Sequence, residues 1–270
     1  MRLDDWLTEQ SAAREKAGLT RRLLSRGPTS GVIDLAGNDY LGLSRDPRVT
    51  AAAAEAAIEW GAGAGASRLV TGTLRLHTEL EDELADFTGQ PAGLVFSTGY
   101  HANLSAVTAL TDADTLIVSD RHVHASLVDA CRLARSPRVV VDHGDVPGVE
   151  RALAERTESR AMVLVESIYS VLGDAASLVR LADVCEREDA TLLVDEAHGI
   201  GVAGRGRGLV HGLGLAGLAH VIVTMTLSKA LGSQGGAVLG SRAVVDHIVN
   251  RARPFIFDTG LAPAATAAAL

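Results

Sequence analysis

From residue 92 onward the chain repeats one pattern, a short β-branched apolar run followed by a stretch with helical spacing. The runs fall at 93–96, 115–118, 138–141, 162–165, 191–194, 220–223 and 236–239, and helical stretches such as 102–109, 124–132 and 179–187 separate most of them. Parallel strands cannot be joined by a two-residue hairpin; they need a crossover of a dozen residues or more, usually a helix. The pattern therefore predicts an α/β chain, a three-layer α/β/α arrangement with a mostly parallel seven-stranded sheet covered on both faces. In such a sheet the carboxyl ends of the strands share one rim, and ligands bind there. The residues just after each run are the ones to read for chemistry.

Two of those strand ends carry reactive groups. The run 219–224 delivers the chain to Thr226-Leu-Ser-Lys229, with Gly232, Gly235 and Gly236 behind it. Burial lowers a lysine pKa and leaves a neutral, nucleophilic amine that can condense with a carbonyl. The tetrapeptide alone fits a solvated surface lysine equally well. The earlier run 191–194 ends in Asp195-Glu-Ala-His-Gly199, placing an acid on the same rim and His198 three positions on. The two ends are separated by about 30 residues, the length of one strand–crossover–strand unit. A lysine for an aldehyde and an aspartate for a protonated pyridine nitrogen together suit pyridoxal 5'-phosphate, PLP.

Taken together, Asp195-Glu-Ala-His-Gly199 and Thr226-Leu-Ser-Lys229 resemble the α-oxoamine synthases, a family of fold-type I PLP-dependent transferases. The resemblance implies that Lys229 carries the cofactor aldehyde and acts as the general base, that Asp195 pairs with the ring nitrogen, and that His198 bonds the phenolic oxygen. Ser97-Thr-Gly-Tyr-His-Ala-Asn103 lies where a strand turns into a helix, a place where free N–H groups attract phosphate; as a motif it matches any such turn. By resemblance Gly99 and Tyr100 hold the phosphate through their backbone, joined by the Thr226 hydroxyl. His122 and His124, taken alone, are each more often structural than catalytic; the family's His-Ala-Ser-Leu selects His124, stacked on the ring, and leaves His122 structural. Tyr169-Ser-Val-Leu-Gly-Asp174 keeps only part of the family pattern, from which Ser170 is carried over as a hydrogen-bonding residue on the cofactor side. The segment Asn38-Asp-Tyr-Leu-Gly-Leu43 matches a family signature that brings Asn38 to the substrate side of the cofactor. Arg21 corresponds to an arginine near the acyl substrate, and Thr259 to a hydroxyl that reaches the phosphate held by the other subunit. A homodimer with shared active sites is implied.

The implied activity is the decarboxylative condensation of an acyl thioester with an amino acid. Within the family the similarity leans to the members that serve biotin synthesis, which take a pimeloyl thioester, on coenzyme A or acyl carrier protein, with L-alanine; glycine is the generic donor. Relatives that use glycine remain an alternative, as does a non-catalytic, dimerising PLP-binding fragment. Family members continue for about a hundred residues, a typical small-domain length, so a C-terminal small domain is expected to be absent from this chain. The expected division is an N-terminal arm at 1–45, helical over 3–27; a PLP-binding large domain at 46–260; and the start of a linker helix at 261–270. Residues 254–259 read as a strand leading to a helix cap.

Composition narrows the alternatives. The chain has 270 residues with 25 basic and 33 acidic, a net charge of −8, which argues against nucleic-acid or membrane-surface binding. No run reaches the ~18 uncharged apolar residues of a membrane-spanning helix, and the N-terminus lacks a signal-peptide core. Cys131 and Cys185 are too few for a disulfide scaffold or a zinc site, so no metal is expected and a reducing cytoplasm is the natural compartment. The glycine runs at 61–65 and 204–208 superficially suggest a dinucleotide loop, but neither follows a strand and opens a helix, and the nucleotide-binding oxidoreductase reading fails on that context.

Overall fold

The computed structural model describes residues 1–28, 31 and 33–270. The chain falls into two units, Met1–Gly37 and Asn38–Leu270.

In the first unit the helix α1 (Leu3–Lys16) has Asp4 and Asp5 in its first turn and Arg14 and Lys16 in its last, charges that complement the helix dipole. It buries no residue. The helix expected over 3–27 stops early, because Gly18 takes φ +67° and the amides of Ala17, Gly18 and Leu19 close onto the last carbonyls. Beyond it Arg26 pairs with Asp34 at 2.8 Å.

The second unit opens with α2 (Pro47–Trp60), capped by Asp46, whose carboxylate accepts the Arg48 amide at 2.8 Å. Next come α3 (Arg75–Thr88), β1 (Ala92–Phe96), α4 (Gly99–Leu110), β2 (Thr115–Asp120), α5 (Ala125–Ala134), β3 (Arg138–Val141), α6 (Val146–Ala154), β4 (Arg160–Glu166), α7 (Leu178–Arg187) and β5 (Thr191–Asp195). The unit is completed by α8 (Leu209–Gly212), β6 (Val221–Thr226), β7 (Gly236–Gly240), α9 (Arg242–Arg251), α10 (Arg253–Ile256) and α11 (Pro263–Ala269). All seven strands fall on the predicted runs, in one sheet of order β1-β7-β6-β5-β4-β2-β3. The strands β6, β5, β4, β2 and β3 pair in parallel, whereas β7 is antiparallel to both β6 and β1. Two antiparallel pairings return β1 to the direction of β6, so Phe96, Asp120, Glu166, Asp195 and Thr226 all end strands on one rim.

Successive side chains of a strand face opposite sides, and the buried residues sort accordingly. Ala161, Val163 and Val165 of β4 join one apolar cluster with Leu153, Leu178 and Leu181 from α6 and α7. Met162 and Leu164 join another with Ala102, Leu127 and Ile248 from α4, α5 and α9. The sheet is thus the middle of three layers, as expected. Each fully buried leucine contributes about 1.5–3 kcal/mol, and Leu192 and Leu193, both at 0% exposure, anchor β5 from its two faces. A rim resting on strands held this way keeps its side chains in place. The strand expected at 254–259 is instead the single-turn helix α10, because Pro254 fits the first turn of a helix, where its missing N–H costs nothing.

Candidate active site

The rim encloses a cavity of about 220 Å³ lined by Thr98, Gly99, Tyr100, Asn103, His124, Ser126, Glu166, Asp195, Ala197, His198, Met225, Thr226, Ser228 and Lys229. Its most constrained part is the turn that carries Lys229. The Leu227 amide donates to the Gly235 carbonyl at 3.0 Å, the Ser233 amide to Leu227 at 3.0 Å, and the Gly232 amide to Lys229 at 2.9 Å. The Thr226 hydroxyl donates to the Gly235 carbonyl at 3.0 Å and accepts the Ser228 amide at 3.2 Å. A loop closed at both ends aims one side chain, and Lys229 Nζ lies 2.7 Å from His198 Nε2. Burial pulls the Lys229 amine below its ordinary pKa, against the opposing charges of Asp195 and Glu166. Burial, reinforced by the Lys229 charge, takes the His198 imidazole down to about 4. At neutral pH the imidazole is therefore uncharged.

Asp195 ends β5 and is 4% exposed. Its Oδ1 accepts the Ala197 amide at 2.9 Å and its Oδ2 accepts the Asn103 amide group at 2.7 Å. The same Asn103 nitrogen donates to Ser126 Oγ at 2.8 Å, and Ser126 Oγ lies 2.8 Å from His124 Nδ1. Because the Ser126 backbone amide also donates to that Nδ1, at 3.2 Å, the nitrogen is an acceptor and a neutral His124 carries its proton on Nε2. One asparagine thus fixes both an acid and a ring wall.

At the opposite end, α4 begins at Gly99. Its cap is Thr98, whose hydroxyl accepts the His101 amide at 3.0 Å. The amides of Gly99 and Tyr100 belong to the first turn and have no partner within the helix. A Cβ at Gly99 would stand 3.0 Å from Thr226 Cβ, a tight approach that glycine avoids where the helix starts against β6. Tyr100 turns its hydroxyl outward, donating to Asp129 at 2.5 Å.

Glu166, like Asn103, has no role in the reading from sequence. It ends β4 directly beside Asp195 and is 2% exposed. Burial first, then the charge of Asp195, pushes its carboxyl up to about 7. One oxygen accepts the Ser170 amide at 3.1 Å, and the other has no protein partner. The signal lay in register: adjacent parallel strands both ending in an acid place two carboxyls side by side.

The remaining expected residues are placed differently. Ser170 is exposed, lies outside the cavity lining, and meets the site only through its amide on Glu166. Thr259 is exposed and bridges Ser67 in a separate shallow hollow with Arg68 and Phe255. Asn38 reaches the site through Tyr40, whose hydroxyl lies 2.9 Å from Asn38 Oδ1 and 2.7 Å from His198 Nδ1. Arg21 is exposed, in the first unit, beyond the end of α1. His122 packs edge-on against His143, outside the cavity lining.

The donor set fits PLP: an amine for an aldehyde, a buried carboxylate for a ring nitrogen, free helix N–H groups with a hydroxyl for a phosphate, and buried atoms still lacking partners at Asn103 Oδ1 and Glu166 Oε1. The family model for aminotransferase class I and II matches residues 30–270. The 8-amino-7-oxononanoate synthase of Mycolicibacterium gilvum is 58% identical over 265 residues, spanning 98% of this chain and 70% of that relative. The chain belongs to the 8-amino-7-oxononanoate synthase family. Its members are PLP-dependent acyltransferases with the fold-type I architecture found here. Among solved structures, a serine palmitoyltransferase from S. paucimobilis with bound PLP and myriocin superposes at TM-score 0.90, with 32% identity over 100% of this chain and 71% of that one. The 8-amino-7-oxononanoate synthase of Francisella tularensis superposes at 0.76, with 26% identity over 89% and 68%. The better superposition thus belongs to a different activity, so backbone likeness speaks for the fold and sequence identity for the family.

Proposed function

We propose that the chain condenses a pimeloyl thioester with L-alanine, releasing CO2 and free thiol and giving 8-amino-7-oxononanoate for biotin synthesis. The observation that carries this reading is the amine of Lys229, half-buried and lining one cavity with the buried Asp195 carboxylate, in a chain of this family. PLP, when bound, supplies an electron sink for the pair left on the amino-acid α-carbon when its proton leaves. The chain's own groups do the rest. Asp195 holds a proton on the ring nitrogen, and Asn103 keeps that carboxylate aimed. His124 forms a wall against the ring, with its Nε2 proton toward the cavity. Gly99 and Tyr100 N–H would hold the phosphate without a positive side chain, and the Thr226 hydroxyl would join them by turning its one hydrogen from the Gly235 carbonyl. Lys229 Nζ, released to the cavity, takes the α-proton as general base. The α-carbon would then bond to the thioester carbonyl as the C–S bond breaks and thiolate leaves to be protonated by solvent; loss of the carboxylate as CO2, followed by return of the proton from Lys229 to the α-carbon, would yield the amino ketone.

Asn38 and Arg21 are assigned to the substrate side, Ser170 to the cofactor side through its link to Glu166, and residues 46–260 to the cofactor domain with 1–45 as its arm. A homodimer, with Thr259 of each subunit serving the other's phosphate, is supported by exposed apolar side chains at Ile58, Val70 and Phe257. No described helix is long and apolar enough to cross a membrane, and the two buried free thiols suit a cytoplasmic enzyme. The test has two steps. PLP with borohydride should leave a reduced adduct on Lys229 and not on Lys16, the other lysine of the chain. Turnover should then favour pimeloyl thioester with L-alanine over acetyl or succinyl thioester with glycine; the reverse preference would sink the substrate assignment.

A further inference from the structure

The lysine at the centre of the site does not stand alone. A continuous chain of hydrogen-bonding atoms runs from Lys229 Nζ to His198 Nε2 at 2.7 Å, from His198 Nδ1 to the Tyr40 hydroxyl at 2.7 Å, and from that hydroxyl to Asn38 Oδ1 at 2.9 Å. Each link has a direction. An amide oxygen can only accept, so the single hydrogen of the Tyr40 hydroxyl is spent on Asn38. Toward His198 the phenol therefore offers a lone pair, and the imidazole must carry its proton on Nδ1 to meet it. A neutral imidazole has one proton, so Nε2 faces Lys229 bare.

We propose that Tyr40 is a positioning residue for the reactive amine: held by Asn38, it fixes His198 as the Nδ1–H tautomer and so keeps the Lys229 lone pair free. The nucleophilicity of a neutral amine resides in its one lone pair. If His198 presented an N–H, that lone pair would be occupied by the hydrogen bond. Facing a bare Nε2, the amine donates one of its own hydrogens and leaves the lone pair turned to the cavity. Partial burial raises the Tyr40 phenol above its ordinary pKa, so it stays protonated through neutral pH. The inference draws its importance from the proposed role of Lys229, but its geometry is a property of the chain before any cofactor binds.

The test is histidine nitrogen NMR on the full chain before PLP is added. The wild type should show His198 with Nδ1 protonated and Nε2 bare. Tyr40→Phe removes the acceptor; Tyr40 is 44% exposed, so the loss of one hydroxyl leaves the fold intact. Its His198 should become a mixture of tautomers. Asn38→Leu removes the partner that holds the phenol hydrogen, which should turn to Nδ1 and drive His198 to the Nε2–H form. In both variants the limiting rate at which Lys229 captures a small aldehyde, trapped with cyanoborohydride and read against Lys16, should fall by up to about tenfold, the scale of one hydrogen bond. A wild-type His198 protonated on Nε2, or a tautomer unmoved by Tyr40→Phe, overturns the inference. A chain that shows the expected tautomers yet makes no amino ketone supports the inference and counts against the proposed reaction instead.

Discussion

The two ends of the cavity are built from different materials. At one end the binding groups are backbone: the free N–H groups of Gly99 and Tyr100, with the Thr226 hydroxyl beside them and no arginine in the lining. At the other, two carboxyl groups share the floor, Asp195 on β5 and Glu166 on β4, at paired positions of adjacent strands. A helix terminus offers roughly half a unit charge and directed donors at little desolvation cost. Buried carboxyls are expensive and titrate, and a site that keeps them does so for their charge or their proton. On the proposed function, the backbone end would hold the phosphate and the carboxylate end would serve the chemistry, with Lys229 between them.

The change that breaks this division most completely is Lys229→Ala. Turnover should fall below detection and the borohydride-reducible adduct should vanish from the peptide, while far-UV circular dichroism stays as it was, because Lys229 lies in a closed turn outside the strands. Asp195→Asn comes next. Asparagine preserves the shape but cannot hold a proton on a ring nitrogen, so kcat should drop by roughly 10²–10³, the scale seen when one oriented electrostatic group is removed, with PLP affinity falling far less. Equal losses in both would erase the division between holding and chemistry.

The same contrast explains what could be read in advance. The seven strands were legible because buried parallel strands must be continuous apolar runs, and Lys229, Asp195 and His198 were legible because each follows such a run with a chemically distinctive side chain. The phosphate end was faint: its donors are amides that every residue carries, and only Gly99 against Thr226 shows the close approach. Glu166 was overlooked because it became meaningful only when the β4–β5 register set it beside Asp195. Tyr40 was passed over for the same reason, since its partner His198 lies far along the chain. Local chemistry misled at two places. Gly18 ended a helix expected to run to residue 27, and Pro254 opened a helical turn where a strand was expected.

Glu166 sharpens the comparison through pH. Its folded carboxyl titrates at about 7, whereas an unfolded glutamate titrates near ~4.3. Between those values the unfolded chain has released a proton that the folded chain keeps, so the group's contribution is fully present below the unfolded pKa and is lost as pH rises through 7. The loss is about 4 kcal/mol by linkage. Glu166→Gln, neutral at all pH, should remove that slope: urea midpoints of variant and wild type should be close near pH 4 and diverge in favour of the variant by pH 8. Parallel curves would mean that Glu166 is ionised in the folded chain and that the carboxylate end carries two charges instead of one charge and one proton.

The smallest effects belong to the phosphate end. Thr226→Val keeps the size and branching of the side chain and removes one hydroxyl, which also donates to Gly235 and accepts the Ser228 amide. Loss of a single neutral hydrogen bond is worth about 1 kcal/mol, so the PLP dissociation constant should rise about fivefold. Gly99→Ala presses a methyl group toward Thr226 Cβ at 3.0 Å and displaces both amide donors together, so it should weaken PLP more than Thr226→Val does. Titration of PLP absorbance into the two variants ranks them directly. If the valine variant proves the weaker binder, the hydroxyl rather than the helix start holds the phosphate, and the division between a backbone end and a side-chain end fails at the place where it was drawn most sharply.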